Sequence, residues 1–246
     1  MEAQTRKIWI VTLYPEYFEP LLNCGVVGSA LTGKRGEGKF ELQTIQLRDF
    51  SETRYASVDD YPFGGGPGMI MRPDILARAL EEGIFAQHPD RSREDYQIIY
   101  PCPRGPVWNN QWARSQAITW WGESPKDLVF ICGRYEGIDE RFIERYIDSM
   151  FSLGDYIISG GELAVMAILD SALRFAPGVL GNKQSSCEES FEDGLLEGPQ
   201  YTRPREFAGL PVPEILLSGN HKKIDEYKTT SRLEMTRKYR PDLLKK

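Results

Sequence analysis

The sequence predicts an α/β fold: a mainly parallel sheet flanked by helices, followed by a small helical C-terminal domain. Three observations carry this prediction. Short β-branched and aromatic runs alternate with helical segments over residues 1–178, the rhythm of a parallel sheet with crossover helices. Three glycine- or proline-rich breaks, PCPRG, GRYEG and the LGDYIISGGEL region, follow predicted strands, where an open α/β sheet keeps its ligand crevice. Beyond residue 204 the chain turns basic and reads as helix.

Taken in order, IWIVTLY (8–14) is a buried strand ended by Pro15. EYFEPLLNCGVVGSALTGK is helical in short pieces, and FELQTIQLRDF alternates as a second strand. DDYPFGGGPGM (59–69) holds four glycines and two prolines in eleven residues, so it is a loop with unusual backbone angles. RPDILARALEEGIFAQ is a helix with Pro73 near its start, and HPDRSRED is a polar connector. YQIIYP (96–101) is a strand, and the segment through Trp120 and Trp121 is a helix capped by Asn109 or Asn110. DLVFIC (127–132) is a strand. GIDERFIERYI is a short helix with Ile138, Phe142, Ile143 and Ile147 on one stripe. FSLGDYIIS (151–159) reads as a further strand, and GGELAVMAILDSALRFAPG as an apolar helix stopping before Pro177. Residues 179–204 are rich in Gly, Pro and Ser, with five carboxylates between Glu188 and Glu197, and read as an interdomain linker. Residues 205–246 form the helical module.

The totals set the outer limits. The chain has 246 residues, 41% hydrophobic and 27% charged, ordinary for a globular protein. No run approaches the roughly 18 apolar residues that span a bilayer, and the first residues lack a signal-peptide pattern, so a cytoplasmic protein with no membrane partner is expected. Cys24, Cys102, Cys132 and Cys187 show no CxxC spacing, which predicts reduced, mostly buried thiols and no zinc site. The two histidines, His88 and His221, are too few for a histidine-rich metal site and read as surface residues. The net charge of −6 is unevenly spread: residues 201–246 carry +5 and residues 1–200 carry −11. Such asymmetry suits either a nucleic-acid-facing end or a solvated helical face. No break matches G-x-G-x-x-G or G-x-x-x-x-G-K-[ST], so the crevice suits a ligand without phosphates, held by backbone groups.

GGGPGM (64–69), CGRYEGIDER (132–141), LGDYIISGGEL (153–163), RFAPGVLG (174–181) and DGLLEGPQYTRP (193–204) together resemble the bacterial tRNA (guanine-N1)-methyltransferases, in that family's order and over nearly the whole chain. The resemblance implies a SPOUT methyltransferase: a sheet carrying a deep trefoil knot, and a homodimer with its active site at the subunit interface. The implied activity is methyl transfer from S-adenosyl-L-methionine to N1 of the guanine just 3′ of the tRNA anticodon. Residues 1–178 would bind the donor, residues 179–204 carry the catalytic acid, and residues 205–246 hold the anticodon arm.

By position, the resemblance puts Tyr100, Pro101, Cys102 and Pro103 in one wall of the donor pocket. Gly133, Tyr135, Glu136 and Gly137 form the second wall. Leu153, Gly154, Asp155, Tyr156, Ile157, Ile158, Gly160 and Gly161 form the third. Gly133 would let backbone approach the ligand, and Glu136 would face the donor's sulfonium and amino group. Arg134 and the Asp139–Arg141 end would order the loops or the dimer. Arg174 matches the catalytic arginine. The base falls on Glu189, where the family usually has Asp, with Glu188 as its neighbouring rival. Phe63, Cys102, Glu197 and Gln200 also depart from the family's common residues. A second reading of the Asp-to-Glu change is a weakened RNA-binding protein that keeps the donor pocket; a ribose methyltransferase of the same superfamily is a third.

Overall fold

The computed structural model describes residues 5–35, 40–122, 126–180 and 189–245. Among the residues singled out above, Gly181, Cys187 and Glu188 lie outside that set. The chain divides into two compact units, Met1–Gly181 and Asn182–Lys246.

The first unit is built on a five-stranded sheet. Its strands are β1 (Arg6–Thr12), β2 (Phe40–Gln46), β5 (Tyr96–Pro101), β6 (Asp127–Ile131) and β7 (Ser149–Phe151), in the order β2-β1-β6-β5-β7. All four pairings are parallel, with Ile8 opposite both Leu42 and Leu128. Between β2 and β5 lies a two-residue hairpin, β3 (Asp59–Asp60) with β4 (Ile70–Met71). The helices are α1 (Glu19–Asn23), α2 (Gly25–Leu31), α3 (Pro73–Glu81), α4 (Asn110–Trp121), α5 (Glu140–Tyr146) and α6 (Gly161–Leu173).

Apolar residues on successive strand positions serve opposite faces. Ile8, Ile10, Leu128 and Phe130 join one buried cluster with α2, α4 and α6. Trp9, Val11, Val129 and Ile131 join the other with α3 and α5. Both faces are covered, so the central strands read as unbroken apolar runs rather than as alternating ones. Asn109 is the cap of α4, accepting from the Trp112 N–H at 2.9 Å.

Two expectations change. The strand expected over 151–159 is β7, which ends at Phe151; residues 152–160 form a loop whose Tyr156 and Ile157 are exposed. Beyond a single bridge of Ser152 with Val107, the loop pairs with no strand among the described residues. His88 is half-buried rather than on the surface, with its ring against Trp9 and Nε2 3.2 Å from Lys7 Nζ. The thiols fit their expectation: of those described, Cys102 and Cys132 are buried and Cys24 is exposed.

The second unit holds a hairpin of β8 (Glu206–Phe207) with β9 (Leu210–Pro211), a short α7 (Glu214–Leu217) and the 19-residue α8 (His221–Tyr239). Residues expected as linker are bonded to α8: the Leu196 N–H donates to Thr236 Oγ1 at 2.9 Å, and Arg232 Nε donates to the Leu196 carbonyl at 3.2 Å. Arg232 also pairs with Asp193 at 2.6 Å. No helix among the described residues is long and apolar enough to cross a membrane.

Candidate active site

The loops after β5, β6 and β7 close around one cavity of about 310 Å³ at the carboxyl ends of the strands. Tyr100, Pro101, Cys102 and Pro103 line it from the β5 end. Gly133, Tyr135, Glu136 and Gly137 line it from the β6 end. Leu153, Gly154, Tyr156, Ile157, Ile158, Gly160 and Gly161 complete it. Of the sixteen positions expected there, only Asp155 is not part of the lining; it is exposed on the same loop. The lining also includes Arg134, Phe151, Ser152, Ser159 and Ala164. Most of these stand inside the same sequence blocks, so adjacency was the signal that could have found them.

Backbone bonds hold the loops in place. Cys102 N–H donates to the Phe151 carbonyl at 2.9 Å, tying the first loop to β7. The Gly161 N–H donates to the Gly133 carbonyl at 2.9 Å, tying the start of α6 to the second loop. The glycine-rich segment before β4 braces that loop from outside, because the Glu136 N–H donates to the Met69 carbonyl at 3.0 Å. Gly68, at φ +84°, has its Cα against the Glu136 side chain, where a Cβ would collide.

Gly133, which lines the cavity, has a steric reason of its own. A Cβ there would lie 2.8 Å from Tyr100 Cε2 and 2.9 Å from its hydroxyl, so glycine is needed to seat a tyrosine ring. Burial pushes the Tyr100 hydroxyl up to about 12, and the ring forms a neutral wall at physiological pH. Tyr135 sits at φ +59°, a costly backbone for an aromatic residue, with its side chain half exposed at the rim. Cys132, behind the cavity, is fully buried; burial first, then the nearby Glu162 carboxylate, push its thiol up and keep it protonated.

Arg134 forms an ion pair with Glu162 at 2.9 Å, the carboxylate being 1% exposed. Asp139 caps α5, accepting from the Arg141 N–H at 2.9 Å, and pairs with the Arg141 side chain, which holds its carboxyl below the usual range. Arg174 stands at the C-cap of α6 and is half-buried; a cation is favoured at that helix end. Glu189 opens the described part of the second unit, where its carbonyl accepts from the Glu192 N–H at 3.4 Å. Among the described residues, no group of three or more His, Cys, Asp or Glu side chains could hold a metal ion.

A parallel sheet whose three strand-end loops enclose one cavity without a phosphate-binding glycine motif defines an α/β ligand-binding protein of the open-sheet class. Comparison with known proteins narrows this. The family model described as tRNA (Guanine-1)-methyltransferase TrmD matches residues 6–246, and the chain belongs to that family. A protein of Sulfurihydrogenibium sp. (strain YO3AOP1) is 45% identical over 240 residues, covering 98% of this chain and 88% of that protein. One of Chelativorans sp. (strain BNC1) is 43% identical over 239 residues, covering 97% and 95% respectively. One of Staphylococcus carnosus (strain TM300) is 43% identical over 242 residues, covering 98% and 91%. Each of the three is named tRNA (guanine-N(1)-)-methyltransferase.

Proposed function

We propose that the protein transfers a methyl group from S-adenosyl-L-methionine to N1 of the guanine immediately 3′ of the tRNA anticodon. The observation that carries this reading is the convergence of three loops, distant in sequence, on one cavity that takes in nearly every position expected for the donor. The cavity suits that ligand. At about 310 Å³ it falls at the lower end of small-molecule pockets, about 300–1,000 Å³. Its walls are backbone, aliphatic and aromatic groups. Its arginine is already paired with Glu162, and Glu136 offers a carboxylate to a cationic ligand. When bound, the donor supplies an electrophilic methyl group on a sulfonium centre.

The chain's own residues supply the rest. The guanine N1 lone pair is available once its proton leaves, and Glu189 takes that proton as general base. Arg174 stabilises the negative charge that develops on the base's carbonyl oxygen. Glu189 is one methylene longer than the Asp usual in the family, so a bent rotamer or a slightly more distant backbone brings its carboxylate into reach.

We read the second unit as the holder of the anticodon arm. Its net charge of +5 over residues 201–246 suits phosphate contacts. A cavity of about 360 Å³ lined by Tyr201, Tyr227, Lys228 and Arg232, among others, offers rings and cations together. The remaining parts of the reading are the family's trefoil knot, a homodimer with the active site at its interface, and a cytoplasmic location. Exposed Tyr156 and Ile157 on the cavity's third loop support burial by a second copy.

The test is direct. Purified protein is incubated with labelled methyl donor and a tRNA carrying guanine at that position, and the product is digested to nucleosides. Label in 1-methylguanosine is expected. Label in a ribose-methylated nucleoside, or donor binding with no label in RNA, would overturn the proposal.

A further inference from the structure

One side chain joins the second and third loops of the cavity. Arg134 leaves the loop after β6 and donates from Nη1 to the Ser159 carbonyl, in the loop before α6, at 3.1 Å. Its Nε donates to Glu162 Oε1 at 3.2 Å, and its Nη2 lies 2.9 Å from Oε2. Glu162, in the first turn of α6, also accepts from Thr12 Oγ1, at the end of β1, at 2.8 Å. The guanidinium lies over the Tyr14 ring at 4.5 Å and near Tyr17 at 5.6 Å. A Cβ at Gly160 would collide with the guanidinium and the Glu162 carboxylate, so that glycine makes the arrangement sterically possible.

A buried ion pair of this kind is a weak stabiliser, because desolvating both charges offsets their attraction. A charged hydrogen bond from Nε to Oε1, with Nη2 in ionic contact with Oε2 and Nη1 bonded to the Ser159 carbonyl, is directional, however, and fixes where its bearer points. Burial alone would lower the Arg134 pKa, but the Glu162 hydrogen bond and charge outweigh it and raise the value. The guanidinium therefore stays charged throughout the working pH range.

We infer that Arg134, held by Glu162 and Thr12, is a positioning residue for the methyl-donor pocket: it sets the spacing between loops 133–137 and 153–161. The inference rests on the donor-site reading above. The pocket's backbone groups are then aligned before the donor arrives, and little ordering remains to be done on binding.

The test uses the full chain, the Arg134→Lys variant and the double variant Arg134→Met/Glu162→Leu. Lysine keeps the charge but lacks the fork. The double variant replaces the pair with apolar groups of similar volume, an exchange that commonly preserves stability, yet it has nothing to donate to Ser159. Three quantities are measured: thermal melting, S-adenosylmethionine affinity by calorimetry, and amide hydrogen exchange at residues 159–161 without ligand.

Arg134→Lys is expected to weaken donor affinity about 10- to 100-fold. The donor KM should rise, while kcat at saturating donor changes far less. The double variant, which also leaves the buried Thr12 hydroxyl without its carboxylate acceptor, is expected to melt modestly below the parent and to keep the affinity defect, with faster exchange at 159–161. Parental affinity and exchange in the double variant would overturn the inference, as they would make the pair a replaceable core contact. If the double variant does not fold, parental values in Arg134→Lys overturn it instead. A parent protein that binds no donor sinks the donor-site reading and the donor part of this inference with it; exchange at 159–161 then judges the clamp alone.

Discussion

The two units of this chain are held together by different physics. The first packs two apolar clusters against opposite faces of a parallel sheet, with Ile8, Ile10, Val129 and Phe130 at 1% exposure or less. In the second, the only buried residues among those described are Ser231 and Thr236, and cohesion comes from hydrogen bonds and the Arg232–Asp193 pair. Apolar burial itself responds little to charge screening or mild acid, although the first unit also holds ion pairs such as Arg134–Glu162. A unit made by polar contacts responds to both, and it leaves much of its surface free for a ligand.

Four experiments would break or sharpen that contrast. The largest effect is expected from the lightly packed unit, if it carries the reacting carboxylate. Glu189→Gln should lower methyl transfer about 10²- to 10⁴-fold in single-turnover assays, with donor affinity unchanged, whereas Glu188→Gln should lose far less. Equal losses at both positions would put the base elsewhere. Next comes the dense core. Phe130→Ala, removing a ring that packs edge-on against Trp120, should cost about 3–5 kcal/mol in urea unfolding.

A smaller loss is expected at the polar seam. Thr236→Val strands the Leu196 N–H and should cost about 1–2 kcal/mol, read as faster exchange of that amide with the first unit's core amides unaffected. Core amides that exchange faster too would show that the units unfold as one. The smallest effect is a pH response. Burial would raise the Asp193 pKa, but the Arg232 hydrogen bond outweighs it and lowers the value below the ordinary carboxylate range. The pair's contribution is therefore complete at neutral pH and is lost as pH falls through the folded pKa. As the aspartate is half exposed, the amount is about 0.2–1 kcal/mol. Asp193→Asn should abolish this acid-side decline in the second unit's melting; a decline that persists would assign it to other carboxylates.

Much of the first unit was legible because its signals are local. YQIIYP and DLVFIC announce buried strands by composition, and the pair Asn109–Asn110 announces a helix start by side-chain chemistry, without saying which of the two is the cap. LGDYIIS misled because apolar residues mark burial or a ligand surface as readily as a strand; Tyr156 and Ile157 are exposed at a cavity rim. The hairpins β3–β4 and β8–β9 are two-residue pairings, too short for any periodicity to register. The cavity's membership, and the expectation that Arg134 orders loops or the dimer, followed from resemblance, whereas the partners of Arg134 did not. Arg134 and Glu162 are 28 residues apart, and Thr12 and Glu162 are 150 apart. Contacts between loops so distant in sequence leave no trace in local pattern.

The seating of Tyr100 against Gly133 has a consequence for how such a chain can change over generations. The ring is 6% exposed, so it has little room to swing aside for a methyl group 2.8 Å away. Position 133 cannot enlarge alone: a side chain there demands a trimmed residue at 100 in the same lineage. Any natural variant bearing alanine at 133 should therefore carry a smaller residue at 100, whereas a smaller residue at 100 can appear by itself.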